Sequence, residues 1–143
     1  MADWKPPKSG SPVWIEITAT DMARSHKFYS TVFNWSWKNP EILGGSNDEE
    51  KPLMVDFNPD VNISGGISPP IQNPSPDKFI PRPGRGGIVL YFLVDDIEAI
   101  GQVIEDAGGK MVSEARKEGD HGVYRYFEDP DGNLGGVYQF KPM

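Results

Sequence analysis

Glu16 is the first residue of this chain whose type and surroundings suggest catalysis. It stands among Trp14, Ile15 and Ile17, in a segment of β-branched and aromatic residues that is typical of a strand. Neighbours of this kind shield a carboxyl group from water, which favours its protonated form and suits a general acid or base. Glu16 is therefore our first candidate catalytic residue. The alternative is a structural glutamate that pairs with an arginine or a backbone N–H group.

Histidine offers a second candidate, because its side chain titrates near neutral pH. The chain has only 2 histidines. His121 lies in the sequence Gly-Asp-His-Gly before a predicted strand, and loops at strand ends often carry catalytic groups. His26 lies next to Lys27 in a predicted helix, where we expect it at the surface. For His121, the alternative is a solvent-exposed loop position without a catalytic role.

The composition excludes several chemistries and partners. The absence of cysteine rules out disulfides, thiolate metal sites and a cysteine nucleophile. A net charge of −7 argues against nucleic acid and against an anionic membrane surface, since both attract clustered lysine and arginine. No apolar stretch has the length of a membrane span, and the N-terminus lacks the apolar core of a signal peptide. We therefore expect a soluble cytoplasmic protein with a small-molecule ligand.

An internal repeat indicates how these side chains are positioned. Residues 15–21 and residues 90–96 each open a strand followed by a helix, and residues 58–67 correspond to residues 129–137. The repeat is longer than a solenoid unit, so it indicates two copies of one small module that pack against each other. The interface between the copies is a natural place for a ligand.

We place the modules at residues 12–67 and 87–141 of a single domain, residues 1–143, and each module has the order β–α–β–β–β. The connector, residues 68–86, is rich in proline, which disfavours a helix or a central strand. Such a segment is either a spanning linker or a lid over a site.

Caps and apolar periodicity predict the elements of each module. Thr20 or Asp21 caps a first helix, which ends at Asn34-Trp35. An aspartate at position 95 or 96 caps a second helix, which Gly108-Gly109 closes in the manner of a left-handed C-cap. The unbroken apolar residues 88–94 predict a strand that is buried on both faces. We further predict a closing strand at residues 134–140, an exposed acidic loop at residues 41–51 and a charged turn at residues 114–122.

Three stretches carry a resemblance to a known family. They are Thr-Asp-Met-Ala-Arg leading to Phe-Tyr-Ser-Thr-Val-Phe-Asn-Trp at residues 20–35, the strand and helix of residues 91–109, and Phe-Glu-Asp-Pro-Asp-Gly-Asn at residues 127–133. The chain resembles the vicinal oxygen chelate superfamily of glyoxalase I, the bleomycin-resistance proteins and the extradiol dioxygenases. The resemblance implies an α+β fold of two βαβββ modules that form an open barrel-like mixed sheet around a cavity. It leaves open whether the modules pair within one chain or between the chains of a homodimer.

The resemblance also implies where a metal would bind. Metal enzymes of this family place His, Gln or Glu on the first and last strands of each module, since divalent metals favour such nitrogen and oxygen ligands. In this chain the corresponding positions are Trp14, Gly66, Val89 and Gly136. None of these side chains binds a metal, so we expect no metal ligands and no cofactor.

The same positions define a candidate ligand pocket. Side chains two residues apart on a strand share a face, so Tyr91 lies on the side of Val89, and Tyr138 lies on the side of Gly136. Their hydroxyl groups could orient a ligand while their rings supply apolar contact. With Trp14 opposite a missing side chain, these positions predict an enlarged apolar pocket. Ordinary core aromatic residues are the alternative.

Three functions remain open from the sequence. The first is a glyoxalase-like pocket protein without the family metal, acting as a metal-independent lyase, isomerase or cyclase through Glu16. The second is a protein that binds and sequesters an aromatic or apolar compound, as the bleomycin-resistance proteins do. The third is a glyoxalase- or dioxygenase-like enzyme whose divalent metal is held by atypical ligands such as His121 and Glu16.

Overall fold

The computed structural model describes residues 8–9, 12–45, 51–57, 63–69, 83–84 and 87–141. In the first half of this part, one α-helix follows the first strand, and a short 3-10 helix follows the second. The elements are β1 (Trp14–Thr18), α1 (Met22–Phe33), β2 (Ser36–Trp37), the 3-10 helix (Pro40–Gly44), β3 (Leu53–Asp56) and β4 (Ser64–Ser68).

The second half repeats this plan with one additional short strand. Its elements are β5 (Tyr91–Leu93), α2 (Ile97–Asp106), β6 (Lys110–Met111), β7 (Arg116–Glu118), β8 (Gly122–Glu128) and β9 (Leu134–Phe140). No helix of the part of the chain that the structure describes has the length and apolar character needed to cross a membrane.

Each half forms one mixed sheet, and the two sheets share a topology. The first has the order β1-β4-β3-β2, and the second has the order β5-β9-β8-β6, with β7 paired to β8. In each sheet the first and last strands run parallel. The register repeats as well, since Glu16 pairs with Gly66 and Tyr91 pairs with Gly136. The predicted α+β fold with an open mixed-sheet arrangement is confirmed.

Helix α1 begins and ends as the sequence predicts. The Asp21 carboxylate accepts a hydrogen bond from the Arg24 backbone N–H at 3.0 Å, which satisfies a free donor of the first turn. Asn34 ends the helix with a φ of 57°, a left-handed conformation that asparagine tolerates. The buried face carries Ser25, Phe28, Tyr29 and Val32.

Helix α2 packs closely on α1. Asp96 caps it by accepting hydrogen bonds from the backbone N–H groups of Glu98 and Ala99. Gly108 follows with a φ of 99°, in the left-handed region that we predicted for it. A Cβ atom at Gly109 would lie 2.7 Å from the Phe28 ring, so glycine is required where the chain passes the first helix.

The core lies between the two sheets and is shared by both halves. Phe28 of α1 stacks on Phe127 of β8, with 6.1 Å between ring centroids. The Phe127 ring in turn covers the backbone of Gly135, where a Cβ atom would lie 2.6 Å from it. Ile67 and Ile104 complete this contact from the first sheet and from α2. Neither half therefore buries its apolar face alone.

Some predicted elements differ from the structure. The apolar residues 88–94 form a strand only at Tyr91–Leu93, and Ile88 and Leu93 are 85% and 64% exposed. Burial on both faces was therefore wrong, because only one face of this strand meets the core. The predicted charged turn contains β7, and the predicted acidic loop begins as the 3-10 helix. Most of the predicted connector lies outside the described residues.

Candidate functional site

Tyrosines dominate the face of the second sheet that is turned away from the helices. Two rows of paired residues cross this face, because side chains alternate along a strand while neighbours on adjacent strands point the same way. One row joins Tyr91, Gly136 and Tyr126, and the other joins Leu93, Tyr138 and Tyr124. We call this surface the tyrosine face.

Gly136 allows Tyr91 to lie flat on the sheet. A Cβ atom at Gly136 would overlap the ring of Tyr91, so a larger residue would displace it. From this position the Tyr91 hydroxyl donates a hydrogen bond to the Tyr126 hydroxyl at 2.8 Å. That hydrogen bond, with partial desolvation, raises the pKa of Tyr91 to about 12. Tyr91 is therefore a neutral hydroxyl group at physiological pH.

A cavity of about 300 Å³ opens on the tyrosine face, lined by Tyr91, Lys117, Glu118, Tyr124 and Tyr138. The Tyr138 hydroxyl donates to a Glu118 carboxylate oxygen at 3.0 Å. Loss of water and this hydrogen bond raise the pKa of Tyr138 above its ordinary value. The cavity thus combines aromatic rings with neutral hydroxyl groups and one charge of each sign.

The candidate residues of the first sheet lie elsewhere. Trp14 is 41% exposed on edge strand β1, and Glu16 beside it is also exposed. The expectation that apolar neighbours shield the Glu16 carboxyl from water was wrong, because the Glu16 side chain lies on the exposed side of β1. Gly66 pairs with Glu16, and a Cβ atom there would lie 3.0 Å from the Leu53 carbonyl oxygen.

Glu16 borders a second cavity, of about 210 Å³, between the two sheets. Ile17 and Tyr29 line it from the first half of the chain, and Phe92 and Leu134 line it from the second. Among the described residues, this cavity shares no lining residue with the one on the tyrosine face.

The structure brings some of the predicted site residues together and separates others. Tyr91 and Tyr138 line one cavity, with Gly136 directly beneath the Tyr91 ring. Val89 is partly buried and precedes β5. His121 is exposed in the turn between β7 and β8, and it lines neither the Glu16 cavity nor the tyrosine cavity.

The positions at which the resemblance implies metal ligands do not fit a metal. Trp14, Gly66, Val89 and Gly136 offer no nitrogen or oxygen side-chain ligand of the kind that divalent metals bind. Among the described residues, no group of three or more His, Cys, Asp or Glu side chains is arranged to hold a metal ion. We therefore derive no step through a metal.

The sequence missed a polar cluster that joins the halves. The Asp131 carboxylate, 2% exposed, accepts hydrogen bonds from the Thr20 backbone N–H at 3.0 Å and from the Thr20 hydroxyl at 2.6 Å. It also accepts from the Arg24 guanidinium at 3.0 Å and from the Ser25 hydroxyl at 3.2 Å. A turn of the second half thereby holds the start of α1.

Asp129 belongs to the same cluster, which we call the inter-half clasp and define as Thr20, Arg24, Ser25, Tyr29, Asp129, Asp131 and Asn133. The buried Asp129 carboxylate accepts from the Tyr29 hydroxyl at 3.0 Å and from the Asn133 side-chain amide at 2.9 Å. Burial raises the pKa of Asp129, although these hydrogen bonds oppose the shift. The Asp-Pro-Asp-Gly-Asn motif at residues 129–133 was the signal that could have revealed this cluster. A tight turn already accounts for these residue types, so nothing in the motif itself pointed to contacts with the first half.

A family model described as Glyoxalase/Bleomycin resistance protein/Dioxygenase superfamily matches residues 11–135. The chain belongs to this superfamily. A glyoxylase-like domain-containing protein of Didymella fabae is 30% identical over 83% of this chain and 85% of that protein. A Mycobacterium tuberculosis protein with the provisional name glyoxylase CFP32 is 26% identical over 92% of the chain. The anthracycline biosynthesis protein DnrV of Streptomyces peucetius is 24% identical over 91% of it.

The chain spans about half the length of the last two relatives, 46% and 47% respectively. Solved structures of the superfamily share its fold. The antibiotic binding protein TnmS3 of Streptomyces sp. CB03234 superimposes with a TM-score of 0.62 at 18% identity, covering 94% of this chain and 100% of that one. A glyoxalase-related enzyme of Fulvimarina pelagi gives a TM-score of 0.63 at 20% identity, covering 91% and 88%.

Proposed function

We propose that this superfamily member binds a planar aromatic small molecule on the tyrosine face. The observation that carries the proposal is the Tyr91 ring lying on Gly136 beside a cavity of about 300 Å³ that Tyr124 and Tyr138 also line. Aromatic rings prefer offset-stacked or edge-to-face partners, and such pairs contribute about 0.5–1.5 kcal/mol beyond area burial. One exposed ring and two partly exposed rings around one cavity favour a flat aromatic ligand.

The polar groups of the cavity define the substituents of that ligand. The Tyr91 and Tyr138 hydroxyl hydrogens are donated to Tyr126 and Glu118, so these hydroxyl oxygens can accept a hydrogen bond from a ligand hydroxyl group. Lys117 adds a cationic donor for a ligand carbonyl oxygen. A few convergent polar groups within an aromatic wall are typical of small-molecule sites. The names of two relatives support this ligand class. One is an antibiotic binding protein, and the other acts in the biosynthesis of anthracyclines, which are fused-ring aromatic compounds.

Binding without chemistry has better support than a metal-independent lyase, isomerase or cyclase. The candidate catalytic residues Glu16 and His121 are exposed, and Glu16 borders the cavity of about 210 Å³ whereas His121 does not, so no described cavity brings the two together. A general acid or base must lie within hydrogen-bonding reach of the reacting atoms, and neither residue lines the tyrosine cavity. Substrate turnover that Glu16→Gln abolishes would reverse this preference.

We also propose that a second copy of the chain packs, in a homodimer, against the part of the tyrosine face that surrounds the cavity and leaves the cavity itself to the ligand. Tyr91, Leu93 and Phe140 are 46%, 64% and 63% exposed on this face, and contiguous apolar surface of this kind marks interaction sites. The CFP32 protein and DnrV are about twice as long as this chain, so each is long enough to contain two units of this size. Light scattering after gel filtration tests this. We expect a dimer that Leu93→Lys converts to a monomer, whereas a monomeric wild-type protein would contradict the proposal.

The ligand proposal is tested with a hydroxylated anthraquinone as the probe, using isothermal titration calorimetry. We expect Tyr124→Ala to weaken binding about tenfold, which corresponds to about 1.4 kcal/mol. Tyr124→Phe keeps the ring and retains most of the affinity. Asp95→Ala, at an exposed position outside the face, is the matched control. Equal affinities for the wild type, Tyr124→Ala and Tyr138→Ala would show that the ligand does not bind on the tyrosine face.

A further inference from the structure

The cavity between the two sheets has a composition distinct from that of the tyrosine face. Apolar and aromatic side chains form most of its wall, among them Ile17, Leu90, Phe92 and Leu134. The carboxylate of Glu16 borders it, and none of its lining residues within the part of the chain that the structure describes is a lysine or an arginine. An apolar wall strengthens electrostatic interactions, because water screens them less there.

The charges around the cavity favour a cation. Tyr29 lines the cavity, and its hydroxyl donates to the Asp129 carboxylate, so a second acidic group lies behind the wall. The guanidinium of Arg24, the arginine of the clasp, is paired with Asp131. An ammonium group that enters the cavity therefore meets a carboxylate at Glu16, and the lining residues that the structure describes carry no positive side chain.

The volume of the cavity limits the size of its ligand. An engineered protein cavity of about 150 Å³ with an apolar lining accommodates benzene. The cavity here, at about 210 Å³, has room for one aromatic ring and a short aliphatic arm. The Tyr29 and Phe92 rings meet edge to face, with 6.5 Å between their centroids, and they supply an aromatic wall for that ring.

We propose that this cavity binds a primary amine that carries a single aromatic ring. The ammonium group pairs with the Glu16 carboxylate at the rim, and the ring packs between Phe92 and Leu134 inside. This second site is independent of the tyrosine face, because the two cavities have no lining residue in common.

Two probes of equal shape test the proposal by calorimetry at neutral pH. They are 2-phenylethylamine, which is a cation, and 2-phenylethanol, its neutral counterpart. We expect the wild type to bind the amine with at least tenfold higher affinity than the alcohol. Glu16→Gln should remove this preference while leaving the affinity for the alcohol unchanged. Glu114→Gln, at an exposed position that lines neither cavity, is the matched control and should preserve the preference.

Leu90→Trp fills the cavity without burying a new polar group, since Leu90 is already 38% exposed. It should abolish binding of both probes, whereas Tyr124→Ala should leave both unchanged. The proposal is overturned if the wild type binds neither probe or if Glu16→Gln keeps the preference for the amine. Loss of amine binding in Tyr124→Ala would also overturn it and would move the amine to the tyrosine face.

Discussion

The ring of Tyr91 lies on the backbone of Gly136, its partner across parallel strands β5 and β9. The equivalent pair in the first sheet is Glu16 and Gly66. The two halves thus keep the glycine on the last strand and differ in the residue beside it. One sheet presents an aromatic surface at this point, and the other presents a carboxylate.

Gly136→Ala should disrupt the tyrosine face. The new Cβ atom would overlap the Tyr91 ring, which must leave the sheet and lose its hydrogen bond to Tyr126. Overpacking of this kind costs about 1–3 kcal/mol, measurable by urea denaturation. Gly44→Ala, where no atom lies within 4 Å of the added Cβ, is the control and should change stability little. Equal stabilities for both variants would contradict the close contact.

Tyr126→Phe should lower the pKa of Tyr91. The hydrogen bond that Tyr91 donates to Tyr126 stabilises the protonated hydroxyl and is the main cause of its pKa of about 12. Without this acceptor, the pKa should move toward the ordinary tyrosine value of about 10. Alkaline titration of ring-labelled tyrosine by NMR measures the change. Tyr138→Phe, which removes a hydroxyl group that does not contribute to this shift, is the control, and an unchanged Tyr91 titration in Tyr126→Phe would exclude the hydrogen bond as the cause.

Asp129→Ala should destabilise the protein strongly. The variant leaves the Tyr29 hydroxyl and the backbone N–H groups of Asp131 and Asn133 without their acceptor. A buried polar group that loses its partner costs about 1–3 kcal/mol, so we expect a loss of about 2–4 kcal/mol in the free energy of unfolding. Chemical denaturation measures it. Asp120→Ala, at an exposed position, should stay within about 0.5 kcal/mol of the wild type.

The advantage of the wild type over Asp129→Ala should decrease as pH rises. Burial raises the pKa of Asp129 in the folded protein, so folding favours its protonated form. The contribution of this group is therefore largest at low pH and is lost as pH rises through the folded-state pKa. Chemical denaturation of both proteins at several pH values between about pH 4 and pH 7 measures this decrease. The range begins near the ordinary aspartate pKa of about 3.9, because the pKa of Asp129 is raised above that value. A stability difference between the wild type and Asp129→Ala that grows as pH rises would contradict this prediction.

Local patterns predicted the elements whose cause is local. The Asp21 cap, the end of α1 at Asn34 and the strand at residues 134–140 follow from side chains within a few residues of each boundary. The prediction that a strand at residues 88–94 is buried on both faces was wrong, because apolar composition does not show which surfaces of a strand other elements cover. Strand β7 was missed because its exposed residues Arg-Lys-Glu pair along the backbone of β8 and bury no apolar face.

The site was less predictable, because its contacts join distant parts of the chain. Period-two alternation placed Tyr91 and Tyr138 on one face, but it could not show that Tyr124 joins them from β8. Nor could it show that the space above Gly136 is filled by Tyr91. The hydrogen bonds of the inter-half clasp that join the two halves link residues 100 or more positions apart, and no local motif encodes such pairs.

The inter-half clasp has a consequence for biosynthesis. Ribosomes release the N-terminal end of a chain first, and domains generally fold as units during synthesis. Helix α1 is among the first elements to emerge from the ribosome. Its contacts between Phe28 and Phe127 and between Ser25 and Asp131 can form only near the end of translation. Nascent chains that end before Phe127 should leave α1 open to protease, whereas the full chain protects it. An early-protected α1 in arrested chains would show that the first half folds alone.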